Sequence, residues 1–312
     1  MASIFIGEKL GRYGFGKNHP FGTDRMDVFW RQATADGLAK RLNVLAPEDA
    51  SLIELERFHD PAYLRRAKSI CATGFGYLDY GNTPAQLGIF DACRTVVGSG
   101  LSALDSIING GDPRCFIPIA GLHHGRRDGA EGFCVFNDCG VLIETLRLVY
   151  KIQRVAYIDI DAHHGDGVFY AYESDADVFI ADIHEDGRYL YPGTGFAEEC
   201  GIGEGQDSKL NLPILPDSND TDFARLWPRI VERIKDFKPE IILFQAGADS
   251  IAGDPITHLK LTPDSHLLAT QSLCSLADTY CQGRLLVMGG GGYNRRNIAT
   301  TWCTVVEALL TS

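Results

Sequence analysis

One segment of the chain concentrates carboxylates and imidazoles. It runs from Asp159 to Gly167, reads Asp-Ile-Asp-Ala-His-His-Gly-Asp-Gly, and follows an apolar stretch typical of a buried strand. Because side chains alternate along a strand, Asp159, Asp161 and His163 are predicted to project to the same side. Two carboxylates and an imidazole on one face, with no lysine or arginine in the segment, would be unfavourable unless a cation joined them. A divalent metal is the simplest such cation.

A second acid ends another apolar stretch, in the sequence Gln245-Ala-Gly-Ala-Asp249. Asp161, His163 and Asp249 together would supply three ligands and leave a position open for water, as a catalytic zinc requires. A set of two oxygens and one nitrogen also suits Fe²⁺. A single acid or histidine at a strand end is more often a cap for a loop or helix. The combination of the two segments is much rarer by chance, and it predicts a metal site.

A histidine pair, His123-His124, stands in a glycine-flanked loop after a further apolar stretch. Imidazole titrates near neutral pH, so the pair suits general base and general acid catalysis. Each ring needs an orienting partner, and Asp159 and Asp166 are available for His123 and His124 respectively. The alternative is two structural loop histidines. That alternative explains less well why four of the nine histidines fall in two adjacent pairs.

Four glycines, Gly289 to Gly292, precede Tyr293. Such a run lets the backbone approach a site closely and gives Tyr293 freedom to turn inward. A tyrosine hydroxyl can donate to the oxyanion formed when water attacks an amide. The rival interpretation is a phosphate-binding loop, but no Lys-Ser/Thr follows the glycines and the spacing is not G-x-G-x-x-G.

The elements that must position these residues alternate between strand and helix, which predicts a parallel α/β sheet. Predicted strands are Ser3–Ile6, Cys115–Ile119, Val155–Ile160, Val178–Ile183, Glu240–Gln245 and Arg284–Met288. Predicted helices are Asp24–Lys40, Pro84–Ile108, Asn137–Lys151, Asp222–Phe237, Pro263–Tyr280 and Asn294–Leu310. In such sheets ligands bind beyond the carboxyl ends of the strands, where the polar clusters lie. With no linker or repeat, residues 1–312 are expected to form a single domain.

The composition excludes several functional classes. A formal net charge of −12 over 312 residues disfavours nucleic-acid binding and association with anionic membranes. No apolar run approaches the roughly 18 residues of a membrane span, and the first residues resemble a strand more than a signal peptide. Nine scattered cysteines without a C-x-x-C pair indicate reduced, mostly buried thiols. We therefore expect a cytoplasmic enzyme.

The chain resembles the zinc-dependent histone deacetylase family, which includes acetylpolyamine amidohydrolases and bacterial acetoin-utilisation-type deacetylases. The matching segments are His19 to Arg25, His123-His124, Gly132 to Asp138, Asp159 to Gly167, Tyr191 to Gly195, Gly247 to Pro255 and Gly289 to Tyr293. The resemblance implies a three-layer arginase/deacetylase-like fold, with one parallel sheet of about eight strands between helices. It also implies hydrolysis of an N-acetylated or N-acylated amine such as acetyl-lysine.

Residue roles follow from the resemblance in the same way. It implies zinc ligation by Asp161, His163 and Asp249, with His124 as the preferred base and Tyr293 polarising the acyl carbonyl. Gly132, Phe133 and Tyr191 correspond to the walls of a narrow acyl-lysine channel. The resemblance also implies structural potassium. One site would involve Asp159, Asp161, His163, Asp182 and Ile183, largely through main-chain carbonyls, and a second would lie near Tyr172, Asp175 and Val178.

Two departures concern the substrate. Asn82, with Asp79 nearby, stands where many relatives carry an aspartate that holds the substrate backbone. Ile256 stands where acetylspermidine-preferring members carry a glutamate, which argues against a polyamine specialist. An acetylpolyamine or other small-molecule amidohydrolase remains the alternative. A two-manganese ureohydrolase is disfavoured because Gly165 and Gly247 stand where it needs further acids, and a catalytically silent acyl-lysine binder because no catalytic group is missing. The natural substrate and the oligomeric state stay open.

Overall fold

The structure is a computed structural model and describes residues 2–16 and 18–312. In these ranges eight strands form one sheet, and every neighbouring pair in it is parallel. The strands are β1 (Ser3–Phe5), β2 (Asn43–Leu45), β3 (Arg114–Ile117), β4 (Val155–Asp159), β5 (Val178–Glu185), β6 (Lys209–Ile214), β7 (Ile241–Gln245) and β8 (Leu285–Met288). Their spatial order is β2-β1-β3-β8-β7-β4-β5-β6.

Ten α-helices occur in the same described ranges. They are α1 (Glu8–Gly11), α2 (Arg25–Ala35), α3 (Leu52–Leu55), α4 (Pro61–Thr73), α5 (Ile89–Ile108), α6 (Asp138–Leu148), α7 (Asp166–Ala171), α8 (Asp220–Phe237), α9 (Pro263–Tyr280) and α10 (Arg295–Thr311). Helices α2, α10, α9 and α8 contact one another in series, and α4, α5 and α6 form a second group. None of the helices described is long and apolar enough to cross a membrane.

The sheet is the centre of the hydrophobic core. Every residue of β3, β4, β5, β7 and β8 is buried, so helices cover both faces of the inner strands. Strands that are apolar along their whole length are typical of this arrangement. The predicted architecture, one parallel sheet of about eight strands between helices, is confirmed.

The two strands that the sequence pattern missed, β2 and β6, are the two edges of the sheet. β2 is three residues long and largely exposed, and β6 contains Lys209, Asn211 and Pro213. Proline is tolerated in an edge strand because its missing N–H is not needed on the open side. A search for continuous apolar runs finds inner strands and overlooks such edges.

Glycines in left-handed conformations explain two differences at helix boundaries. The helix predicted to reach Lys40 ends at Ala35, and Gly37 (φ 77°) separates it from a short 3₁₀ segment. The helix predicted from Pro84 begins at Ile89, directly after Gly88 (φ 83°). Helix α4 was not predicted. The assignment of residues 1–312 to a single domain stays a prediction.

Candidate active site

The polar clusters of the sequence meet at one edge of the sheet. Strands β3, β8, β7 and β4 are neighbours and all run in the same direction, so the loops that follow them are adjacent. These loops carry the histidine pair after β3, Tyr293 after β8, Asp249 after β7, and Asp161 with His163 after β4. The sheet order therefore brings together residues separated by up to 170 positions in the chain, from His123 to Tyr293.

Asp161, His163 and Asp249 form a buried triad. One potential ligand atom from each lies within 4.8 Å of those of the other two. His163 Nδ1 is 3.0 Å from Asp161 Oδ1 and 3.2 Å from Asp249 Oδ2. All three side chains are almost fully excluded from solvent. Within the described residues, this is the group of acids, histidines and cysteines arranged to hold a metal ion.

The remaining carboxylate oxygens of the triad are held by the protein. Asp161 Oδ2 accepts hydrogen bonds from Gln245 Nε2 and from the Gly291 N–H, each at 2.8 Å. Asp249 Oδ1 accepts from the Ala162 N–H at 2.9 Å. Each acid thus presents one oxygen toward His163 while its other oxygen is fixed. This donor set fits a divalent cation with a two-oxygen, one-nitrogen preference, including Zn²⁺.

The charges in the triad are mutually dependent. Burial, and then repulsion from Asp161, raises the pKa of Asp249 to about 7. Burial opposes the charged form of His163, but hydrogen bonds and attraction from Asp161 and Asp249 outweigh it and raise the pKa of His163 to about 10. A histidine that ligates a metal must be neutral, so metal binding displaces this proton. The triad therefore holds a cation, either the proton on His163 or a metal ion.

The histidine pair is oriented by two acids. His123 Nδ1 lies 2.8 Å from Asp159 Oδ2, His124 Nδ1 lies 2.7 Å from Asp166 Oδ1, and the two Nε2 atoms are 3.1 Å apart. These are the partners assigned from the sequence. The loop itself is anchored by Asp138, whose carboxylate accepts the N–H groups of Gly121 and Leu122.

The two histidines differ in charge because their surroundings differ. Burial works against protonated His123, but the charges of Asp159 and Asp161 outweigh it and raise the pKa of His123 to about 10. Burial, and then the neighbouring charge of His123, lowers the pKa of His124 to about 4. Adjacent groups with pKa values pushed apart can serve as acid and base at one pH. Here a neutral His124 lies beside a charged His123.

The glycine run packs against the triad. A Cβ atom at Gly291 would lie 2.1 Å from Asp249 Oδ2, and one at Gly290 would lie 2.4 Å from the Gln245 amide. Glycine is required at these two positions because the backbone lies too close to Gln245 and Asp249 for a side chain, rather than to let Tyr293 move. Tyr293 follows, and its N–H donates to Asp254 Oδ2 at 2.8 Å. Burial, and then the charges of the two triad acids, raises the pKa of Tyr293 well above its ordinary value, so its hydroxyl stays a donor.

A cavity of about 270 Å³ opens from the triad toward the surface. It is lined by Asn82, His124, Gly132, Phe133, His163, Leu190, Tyr191, Ile256 and Tyr293. All five residues predicted to contact substrate are therefore brought together, and Leu190 is added. A larger groove of about 620 Å³ lies around Glu54, Arg57 and Tyr150. The smaller cavity is the better candidate because His163 of the triad, His124 and Tyr293 all line it.

Two acids, Asp79 and Glu131, contact residues that line the cavity, and their surroundings differ. Asp79 Oδ1 accepts the N–H groups of Gly81, Asn82 and Thr83, so this acid organises its own loop. Asn82 remains exposed at the rim. The hydroxyl of Tyr191, another lining residue, donates to Glu131 Oε1 at 2.9 Å.

Arg126 lies between Glu131 and the histidine pair. Its Nη2 atom lies 3.5 Å from Glu131 and 3.8 Å from Asp166, the partner of His124. Sequence reasoning missed Gln245, Glu131 and Arg126. Gln245 could have been found, since it is a polar residue that ends an otherwise apolar strand.

Buried Arg25 forms hydrogen bonds to the main chain of the glycine run. Its guanidinium donates to the carbonyl oxygens of Gly292 (2.8 Å) and Gly290 (2.6 Å) and packs over Phe21. The sequence comparison included Arg25 in a matching segment without giving it a role. The structure makes it a brace for the loop that carries Tyr293.

The residues predicted to hold a first potassium ion lie next to the histidine pair, since Asp159 is the hydrogen-bond partner of His123. Asp159 and Asp182 are register partners on β4 and β5. Asp182 is also engaged by His184 Nδ1 at 2.8 Å and by the Gly165 N–H at 2.9 Å. Ile183 follows on the same strand. A potassium ion at this place stays a prediction.

A buried triad with an open cavity, an oriented base and a hydroxyl donor is the arrangement typical of metal-dependent hydrolases. Comparison with known proteins identifies the family. The sequence profile described as histone deacetylase domain matches residues 19–309. The chain belongs to the histone deacetylase family.

Relatives and solved structures agree with this assignment. The acetoin utilization protein AcuC of Bacillus subtilis (strain 168) is 34% identical over 97% of this chain and 81% of its own length. Histone deacetylase 8 of Xenopus tropicalis is 32% identical over 88% of this chain and 75% of its own. The structure of an HDAC homologue complexed with SAHA has a TM-score of 0.88 at 28% identity, covering 99% of this chain and 84% of that one. The HDA15 HD domain has a TM-score of 0.91 at 25% identity, with 99% and 89% covered.

Proposed function

We propose that this protein is a zinc-dependent deacylase that hydrolyses the amide of an N-acetylated amine such as acetyl-lysine, releasing acetate and the free amine. Membership of the histone deacetylase family supports an amide hydrolase. The observation that carries the proposal is the convergence, on one cavity, of the triad, the His124–Asp166 pair and Tyr293. A binder would not need acid–base and oxyanion groups together.

The metal would be held by Asp161, His163 and Asp249. When bound, Zn²⁺ polarises a carbonyl oxygen and lowers the pKa of water beside it. A second metal, as in a ureohydrolase, would need an acid at position 247. That position has no room for a side chain, because a Cβ atom there would lie 2.2 Å from Asp161 Oδ2. The same donor set accepts Fe²⁺, and metal analysis of protein purified without added metal distinguishes the two ions.

The histidine pair carries out the proton transfers of the reaction. Neutral His124 faces the cavity and takes the proton of the attacking water, while Asp166 fixes its ring through Nδ1. His123, held in its charged form by Asp159, is adjacent through the 3.1 Å contact between the two Nε2 atoms. The pair can therefore return a proton to the departing amine.

Tyr293 stabilises the negative charge that develops on the acyl oxygen. It lines the same cavity as His124, on the loop that follows β8. Its hydroxyl remains protonated because burial and the triad acids disfavour the phenolate. A preorganised donor in a dry site contributes more than the same donor in water.

The shape of the cavity supports a linear acylated amine as substrate. Phe133 and Tyr191 supply aromatic walls, and Gly132 brings the backbone close, since a Cβ atom there would lie 2.6 Å from the His124 ring. Ile256 gives the mouth an apolar side in place of an acid. We therefore propose acetyl-lysine in a peptide or protein over an acetylpolyamine, with other small acylated amines as the remaining alternative.

The test is kcat/KM of zinc-loaded protein on acetyl-lysine peptides, acetylpolyamines and longer acyl-lysines. Acetate release from the peptide, its loss on dialysis against a chelator, and inhibition by a hydroxamate are expected. Asp161→Asn should abolish turnover, whereas Thr301→Val, a buried substitution in α10, should leave it unchanged. Absence of turnover on every acylated amine with zinc fully loaded would refute the proposal.

We also propose a reducing compartment such as the cytoplasm for this enzyme. All nine cysteines are free thiols, and eight of them are buried. Burial raises the pKa of Cys115 and its buried counterparts, which keeps these thiols protonated and unreactive. Such thiols are typical of proteins that carry no disulfide framework.

A further inference from the structure

Lys209 carries a buried ammonium group that is far from the active site. It is the first residue of β6, and only 2% of it is exposed. Its Nζ atom donates to the main-chain carbonyl oxygens of Asp175 (2.9 Å) and Val178 (2.8 Å) and to Ser208 Oγ (2.5 Å). An ammonium group has three N–H donors. All three are satisfied by protein oxygen atoms.

Two of these oxygens belong to the turn that joins α7 to β5, where the family resemblance implies a second potassium ion. Of the three residues expected near that ion, Asp175 and Val178 offer their carbonyls to Lys209, and the carbonyl of Tyr172 accepts the Asp175 N–H at 3.0 Å. The residues present therefore do not fit a potassium ion at this place. These contacts argue against the second potassium site that the resemblance implies.

We propose that the Lys209 ammonium takes the place of a monovalent cation, so that the turn from Tyr172 to Val178 is held without a bound ion. An ammonium group carries the same charge as a potassium ion, is similar to it in size, and likewise takes oxygen partners. It differs in being tethered to β6, so it does not dissociate when the ionic composition of the solution changes.

The turn carries one carboxylate and is approached by two positive groups. The Asp175 carboxylate lies on the turn and forms a bidentate ion pair with Arg147 of α6. Burial lowers the pKa of Lys209 to about 8, with the Asp175 charge opposing this change, so the ammonium keeps its charge at neutral pH. Lys209 and Arg147 thus approach the same turn from two elements, one through its carbonyls and one through its carboxylate.

The packing of the turn leaves little freedom for an alternative arrangement. The Ile202 N–H donates to the carbonyl oxygen of Glu173 at 2.9 Å. A Cβ atom at Gly205 would lie 2.4 Å from that same oxygen. The turn is therefore packed against the 202–205 segment. For this reason we expect its carbonyl groups to keep their direction when the Lys209 side chain is shortened. Removing the ammonium should leave a hole lined by three oxygen atoms.

The experiment compares thermal unfolding of wild type, Lys209→Ala and Lys209→Met in KCl, LiCl and choline chloride at about 0.15 M ionic strength. Wild-type protein reports the potassium response of any other site, including the one predicted at Asp159 and Asp182. Lys209→Ala opens the hole and should gain several degrees of Tm in KCl beyond the wild-type response, with less in LiCl. Lys209→Met refills the hole with an apolar chain and should show the wild-type response.

A potassium response of Lys209→Ala equal to that of wild type overturns the proposal, as does an equal gain in Lys209→Met. A second measurement covers the case in which the variants fail to fold. Wild-type protein equilibrated with rubidium and freed of unbound ions should retain at most one rubidium per chain by elemental analysis. Two per chain would show that Lys209 does not replace an ion. Neither readout depends on the proposed deacylase activity.

Discussion

Gln245 holds the Asp161 carboxylate of the triad by a hydrogen bond, and its replacement offers a quantitative test of the metal site. It is the last residue of β7 and is completely buried. Its Nε2 donates to Asp161 Oδ2 at 2.8 Å, and its Oε1 accepts the Gly247 N–H at 2.7 Å. Gln245→Met retains the length of the side chain and removes these two hydrogen bonds, together with a longer one from Nε2 to the Gly121 carbonyl oxygen (3.3 Å).

The size of the effect follows from these two bonds. Removing a hydrogen-bonded partner outside the ligand shell lowers metal affinity by about 10- to 100-fold. Asp161 Oδ2 keeps its second bond, from the Gly291 N–H at 2.8 Å. We therefore expect the lower end of that range, about 10-fold, which corresponds to about 1.4 kcal/mol. The Gly247 N–H is left buried without a partner, and this should reduce the free energy of unfolding by a further 1–3 kcal/mol or so.

The assay is competition for Zn²⁺ between the protein and a chromophoric chelator, with thermal unfolding of the metal-free protein in parallel. Thr301→Val is the matched control, because it removes a buried polar atom in α10 without touching the triad. It should leave the zinc affinity unchanged. If Gln245→Met lost stability and kept wild-type zinc affinity, Asp161 would not be oriented by Gln245 and the description of the triad would be wrong.

Three further predictions concern the acyl oxygen, the wall of the cavity and the response to acid. Tyr293→Phe should lower kcat by on the order of 10²–10³ with little change in bound zinc, because it removes one oxyanion donor; near-normal turnover would exclude the tyrosine from the mechanism. Glu131→Ala should raise KM about 2- to 10-fold at constant kcat through loss of the hydrogen bond to Tyr191, and Glu131→Gln should restore it; equal effects in both variants would exclude that bond as the cause. Burial lowers the pKa of His59 to about 4, and its Nε2 accepts the Asn137 N–H. Because the unfolded chain takes up this proton near pH 6.5, the contribution of His59 is fully present above that pH and is lost as the pH falls toward 4, by up to about 3 kcal/mol. Chemical denaturation across this range should show a shallower loss for His59→Gln; an unchanged slope would mean that His59 does not titrate on unfolding.

Much of the fold could be predicted because the apolar composition of the inner strands reflects their burial. A strand buried on both faces is apolar over most of its length, so β4, β7 and β8 can be recognised directly in the sequence. The edge strands β2 and β6 carry no such pattern, since one of their sides faces no further strand. Lys209 shows the same difference. In the sequence it is an ordinary lysine, and only the packing of β6 against the α7–β5 turn gives it three buried oxygen partners.

By itself, the sequence determined which residue types are available for chemistry: the acids and histidines of the triad and the histidine pair, and the tyrosine after the glycine run. Spacing could place Asp159 and Asp161 on one side of a strand and suggest His123 and Asp249 as their neighbours, but it could not give the distances between them. Those distances, the fixing of Asp161 by Gln245, and the link from Tyr191 through Glu131 depend on the order of parallel strands in the sheet. Contacts between residues far apart in the chain exist only after that order has formed, and this is why the tertiary structure alone decided them.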